Sequence, residues 1–277
     1  MPADPSHDWN RTVAWIRGSS TRAGRKQTGF CSLEGYRLFE RALHAGVSLP
    51  YAVTSEAFFC SEIPRERALL GLLQESGCLL QAIPEEVLQS LIEGRGLGPV
   101  VGLAKLPEAP GLKDLCEPEE GVPPIFLGLV GVDDPGNIGA LLRTAHASGA
   151  RAVLAVGAGD AFHPKSVRTS MGSVFRVPFL TWNSLPELVA ELNALGIRSA
   201  GAVLQEGVSL AGFEFGSAPW AMFLGSESFG LTREDRQLFD AGVTIPMAGP
   251  LDSFSVNAAA SVLLWELRRK HHLPVRP

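Results

Sequence analysis

The segment at residues 133–150, DDPGNIGALLRTAHASGA, carries a helix-like apolar stripe and one polar side chain that the stripe does not explain. Ile138, Leu141, Leu142 and Ala145 recur at helical spacing, and Arg143 falls well off their face. A guanidinium stays charged at ordinary pH and presents its donors in a planar fork. It therefore grips phosphate or carboxylate and stabilises an oxyanion as charge develops. Taken alone, such an arginine is a solvated surface residue. Turned toward a cleft it becomes a reactive group, and what else the chain brings to that place decides between the two.

Two other segments are candidates to meet it. GSESFG at 225–230 and PMAGPLDSF at 246–254 each follow a strand-like run, as does the turn around Asn137. In open parallel sheets ligands sit beyond the carboxyl ends of the strands. Glycines there let backbone approach a ligand closely or take positive φ. Familiar phosphate and nucleophile devices are absent. No GxGxxG follows a strand, GLGPVVG at 96–102 has the wrong spacing, and neither a Walker loop nor a GxSxG elbow occurs. Cys31, Cys60, Cys78 and Cys116 lie far apart, and the histidines form no HxxxH pair, so no metal site is expected. Reduced buried thiols in a cytoplasmic protein are the simpler expectation.

The elements that must hold these loops follow from composition and pattern. The 277 residues allow one large domain or two ordinary ones, and 45% apolar with 19% charged residues is a soluble globular balance. No apolar run is long enough to span a bilayer, and the first residues lack the pattern of a secretory signal. A net charge of −5 argues against a protein wholly devoted to gripping nucleic acid. It leaves room for a local patch, and RGSSTRAGRKQTG supplies Arg17, Arg22, Arg25 and Lys26 with no acid among them.

A proline- and acid-rich stretch at 105–121 predicts a linker. Before it, residues 8–104 alternate helices (SLEGYRLFERALHAG, PRERALLGLLQESG, PEEVLQSLIEG) with strands (LPYAVTS, CLLQAI), a small α/β domain. After it, residues 122–277 read as an open parallel sheet with crossover helices. PIFLGLVGV, RAVLAVG, RSAGAVL, WAMFLG and GVTIPM are its strands, and a long helix from about Ser253 to Lys270 closes the chain. That helix buries Val256, Ala260, Leu263, Leu264 and Leu267.

NIGALLRTAHASG, FLGSESFGL and IPMAGPLDSFSVNAAASVLLWE, in that order across residues 125–270, resemble the three motifs of the SpoU (TrmH-like) RNA ribose methyltransferases. The resemblance implies a SPOUT-type α/β fold: a parallel sheet with helices on both faces and a trefoil knot. LEGYRLFERALHAG after a basic segment is similar to the small N-terminal L30e-like RNA-binding domain of many members. The three motifs further imply a homodimer and S-adenosylmethionine as cofactor. By motif position, Asn137, Arg143, Glu227 and Ser255 would be catalytic. Leu224, Gly225, Gly230, Ile245, Met247, Ser253 and Phe254 would hold the cofactor. Ser170 matches a small polar turn of the family and, with the basic segment, would touch RNA.

One position departs from the pattern. The third motif usually reads Ser-Leu-Asn, and here it is Ser253-Phe254-Ser255, a hydroxyl in place of a carboxamide. Asn257 lies two residues further along a helix and so turns nearly to the opposite face. Each residue alone also has a plain reading. Asn137 and the DSFSVN stretch could cap helices, Glu227 could be a loop carboxylate, and Thr232 with Asp235 would form a capping box. Taken together the expectation is an enzyme that methylates a ribose 2′-hydroxyl of ribosomal RNA, with Arg143 facing the ligand cleft near Glu227 and Ile245. The alternatives are a transfer-RNA substrate, or an RNA-binding member with weak or lost turnover.

Overall fold

The computed structural model describes residues 8–94, 98–118, 121–249 and 253–271. The chain divides into two compact units. One holds residues up to Glu108 together with Phe162–Phe175; the other holds Ala109–Ala161 and Arg176 onward.

In the first unit α1 (Trp9–Gly18) starts at Asp8, whose carboxylate accepts from the Asn10 amide at 3.0 Å. Then α2 (Arg22–Thr28) starts at Thr21 and stops at Gly29, which sits at φ 75°. The basic segment is thus two ordered helices. Next come β1 (Phe30–Glu34), α3 (Tyr36–His44), β2 (Tyr51–Thr54), α4 (Glu56–Phe59), α5 (Pro64–Glu75), β3 (Leu79–Ala82), α6 (Glu85–Gln89) and β4 (Val100–Lys105). The sheet runs β1-β4-β2-β3, with β4 antiparallel to both of its neighbours. Val53 of β2 and Val101 and Leu103 of β4 form a core with Val13, Ile16 and Leu88.

The pattern reading needs correction here. Residues 32–34 are the end of a strand, not the start of the helix that follows. Gly35, at φ 84°, makes a turn that only glycine takes freely. The expected linker is partly built in: β4 runs through Lys105, and Leu112 is buried in the core of the second unit.

The second unit contains β5 (Ile125–Val130), α7 (Pro135–Ala147) and β6 (Ala152–Val156). The chain then contributes α8 (Pro164–Ser170) to the first unit. It returns as β7 (Phe179–Trp182), α9 (Leu185–Ala194), β8 (Arg198–Ala202), β9 (Val208–Ser209), β10 (Trp220–Leu224), α10 (Arg233–Leu238), β11 (Ala241–Thr244) and α11 (Val256–Lys270). All seven strands are parallel in the order β7-β6-β5-β10-β8-β11-β9. Strands buried on both faces read as continuous apolar runs, and β5, β6 and β10 do so. Phe126, Leu154, Leu188, Leu192 and Phe223 form one layer of core. The final helix buries the five residues its stripe predicts.

Candidate active site

At the end of β10 the chain makes a tight loop. The Ser226 carbonyl accepts from the Gly230 amide at 2.8 Å, and its Oγ accepts from the Phe229 amide at 3.3 Å. Gly225 permits this closure, since a Cβ there would lie 2.1 Å from the Gly230 carbonyl carbon. Thr232 and Asp235 then start α10 with the expected reciprocal capping box. The loop after β11 carries Ile245 and Met247; residues 250–252 of the third motif lie outside the described residues. Beyond them come Ser253 and Phe254, and Ser255 caps α11 by accepting from the Ala258 amide at 3.3 Å.

These two loops enclose a cleft of about 410 Å³. Leu224, Gly225, Glu227, Gly230, Ile245, Met247, Ser253 and Phe254 all line it, as do Ala202 at the end of β8 and Val203 and Leu204 beyond it. The β8 residues escaped the sequence reading. Only the strand order, which seats β8 between β10 and β11, brings them here. Large apolar side chains stand open around the cleft: Phe229 is 88% exposed, Leu204 56% and Phe254 45%. Uncovered apolar surface of this kind is what a ligand with a flat apolar body would bury.

Helix α7 meets the cleft loop through Asn137. Asp134 is the residue that caps α7, accepting from the Asn137 amide at 2.9 Å, and Pro135 occupies the first turn. Asn137 is thereby inside the helix, and its Nδ2 donates to Glu227 Oε1 at 2.5 Å. Arg143 does not follow it. The side chain is exposed, makes no hydrogen bond or ion pair among the described residues, and is not part of the cleft lining. On the helical wheel it sits about 140° from Ile138, on the outward side of α7. Ser255 is likewise exposed and serves as a cap, outside the lining.

In the first unit the basic positions separate. Arg22 and Lys26 are exposed, and Arg17 is exposed with its Nη2 on Ser90 Oγ at 3.0 Å. Arg25, in contrast, is buried, and its Nη1 donates to the Ser19 carbonyl. Ser170 is fully buried, and its hydroxyl donates to the Val167 carbonyl at 2.8 Å. Neither of these two offers its side chain to RNA. Arg168, which the sequence reading passed over, pairs with Glu93 at 2.7 Å and with the buried Glu34 at 3.4 Å. Among the described residues no cluster of metal-ligating side chains occurs, and no helix is long and apolar enough to cross a membrane.

The SpoU rRNA Methylase family model matches residues 124–265. The 23S rRNA (guanosine(2553)-2′-O)-methyltransferase RlmP of Bacillus subtilis is 29% identical over 261 residues, 94% of this chain and 96% of that protein. The 23S rRNA (guanosine-2′-O-)-methyltransferase RlmB of a Burkholderia species is 33% identical over 208 residues, 74% of this chain and 83% of its own. Among solved structures, the AdoMet-bound rRNA methyltransferase from Sinorhizobium meliloti superposes with a TM-score of 0.80 at 28% identity, covering 97% of each chain. The parallel-sheet fold is that of a methyltransferase that uses S-adenosylmethionine. The chain belongs to the SpoU rRNA methylase family.

Proposed function

We propose that this enzyme methylates a ribose 2′-hydroxyl of ribosomal RNA in the cytoplasm, acting as a homodimer. The observation that carries the reading is the cleft itself. Seven residues expected to hold the cofactor line one space, with Glu227 at its edge. The names of the Bacillus and Burkholderia relatives support a guanosine of 23S rRNA as the target. S-adenosylmethionine, when bound, supplies an electrophilic methyl group on a sulfonium.

The chain's own residues then have separable tasks. Backbone at Leu224, Gly225 and Gly230 is free to approach the cofactor closely, and Ile245, Met247, Ser253 and Phe254 give it apolar and polar walls. Asn137 fixes the Glu227 carboxylate, and Glu227 accepts the proton that the 2′-hydroxyl loses. Arg143 holds the RNA phosphate and stabilises developing oxyanion charge. Ser255 keeps the start of α11 in place. In the first unit, taken as the L30e-like RNA-reading domain, Arg17, Arg22 and Lys26 provide phosphate contacts. A second copy of the chain covers the outer face of α11, where Val262 is 37% and Trp265 59% exposed.

The test is transfer of a labelled methyl group from S-adenosylmethionine to RNA extracted from a strain lacking this protein, with the modified ribose then mapped. Wild-type protein is expected to label one position in 23S rRNA, and Glu227→Gln to lower kcat by at least tenfold. Label in transfer RNA alone would replace the substrate. RNA binding without any transfer would favour the non-catalytic alternative, for which the cap-bound hydroxyl of Ser255 is the one supporting feature.

A further inference from the structure

Seven residues after Asn137, on the same side of α7, sits Thr144. A seven-residue step turns a helix to within about 20° of its starting face and advances it about 10 Å. The Thr144 hydroxyl donates to Asn257 Oδ1 at 2.8 Å. Along one flank helix α7 is tied to the β10 loop by Asn137 and Glu227 and to α11 by Thr144 and Asn257, and at its C-terminal end Arg268 Nη1 donates to the Ala147 carbonyl at 3.1 Å. Arg143 stands next to the tie at Thr144.

We infer that Asn257 is a positioning residue for Arg143. This rests on the reading of Arg143 given above. The apolar stripe of Ile138, Leu141, Leu142 and Ala145 fixes which side of α7 meets the core. Apolar contacts are not directional, however, and leave small rotations and slides of the helix weakly opposed. Two hydrogen bonds on the flank oppose both motions. A guanidinium at the end of a long side chain amplifies any rotation that remains. Asn257 suits this use because its carboxamide is half-buried at the crossing of α7 and α11, away from the cleft lining. Its backbone is held independently, the carbonyl accepting from Ser261 Oγ at 2.9 Å. Ser255, two residues earlier, is engaged in capping and does not reach α7.

The test is a set of single and double variants in the labelled-methyl assay, with RNA from the deletion strain and saturating S-adenosylmethionine. Asn257→Ala and Thr144→Val are each expected to lower kcat roughly tenfold or more. The cofactor Kd, measured by calorimetry, should stay within about twofold, because Arg143 lies outside the cleft lining. Asn257→Asp, which keeps an acceptor for the Thr144 hydroxyl, should recover most of the loss. In an Arg143→Lys background, Asn257→Ala should cost little further, because the group it positions has been replaced. Wild-type kcat in Asn257→Ala overturns the inference, and so does a loss of equal size in the Arg143→Lys background. Full activity in Arg143→Lys and Arg143→Ala alone would instead overturn the role given to Arg143.

Discussion

Replacing Gly225 by alanine sets a methyl group against backbone. The added Cβ would stand 2.1 Å from the Gly230 carbonyl carbon and 2.3 Å from both the Gly230 oxygen and the Leu231 nitrogen. Ordinary contact needs well over 3 Å, so the two sides of the loop must separate by more than about 1 Å. No flexible side chain can take up the overlap. Accommodating it costs about 2 kcal/mol, the middle of the range for overpacking. If the strain is relieved by opening the loop, cofactor binding must reverse that opening, and about 2 kcal/mol corresponds to roughly a thirtyfold weaker Kd. If the loop stays closed, the same energy lowers the melting temperature by about 4–8 °C.

Calorimetric titration of S-adenosylmethionine and a thermal melt together capture both routes. Gly249→Ala is the control, since a Cβ there meets nothing within 4 Å. The expected result is a weakened Kd, a lowered melting temperature, or a share of each in Gly225→Ala alone. A variant with wild-type values of both quantities would refute the closure of the loop on itself.

Four further outcomes are expected. Burial lowers the pKa of His271, against a smaller opposing effect of the Gly216 backbone. The unfolded chain therefore takes up that proton first as pH falls, and the stabilisation, complete above about 6.5, is lost as pH drops through the folded value. His271→Leu should shrink the fall in melting temperature between about pH 7.5 and 5.5. Arg25→Ala should destabilise the protein by about 2 kcal/mol, because a buried side chain and its bond to Ser19 are lost. Lys26→Ala should instead leave the melt unchanged and reduce the salt dependence of RNA binding by close to one ion, measured by titration at several salt concentrations. Trp265→Asp should yield a folded monomer by light scattering, with wild-type circular dichroism.

Long, two-sided apolar runs and caps made most of the second unit legible before its structure. β5, β6 and β10 declare themselves by composition, and Thr232 with Asp235 marks the start of α10. Short elements were harder to see. β7 has four residues with a mixed burial pattern, and β9 has two, both exposed, so neither carries a period. β1 is an edge strand whose last residues run into a helix through one glycine, and pattern alone assigned them to the helix. The cleft was legible because strand ends and glycines are local signals. The part from β8 was not, because adjacency of β8 to β10 and β11 is a property of strand order.

Arg143 shows where local pattern stops. Its place off the apolar stripe is a statement about one face of α7, and a helix has more than one face away from its core. Asn137 and Thr144 occupy the flank that turns toward Glu227 and Asn257, whereas Arg143 lies on the outward side. Within one chain, then, the cleft lining and the guanidinium belong to different surfaces. A guanidinium that makes no bond to the cleft loops is not there to hold the cofactor. The role proposed for it therefore requires an anion that arrives from outside the cleft, and a ribose with its flanking phosphate meets that condition. The same exposure leaves its direction to α7 alone, so whatever sets the rotation of that helix also sets where the charge falls.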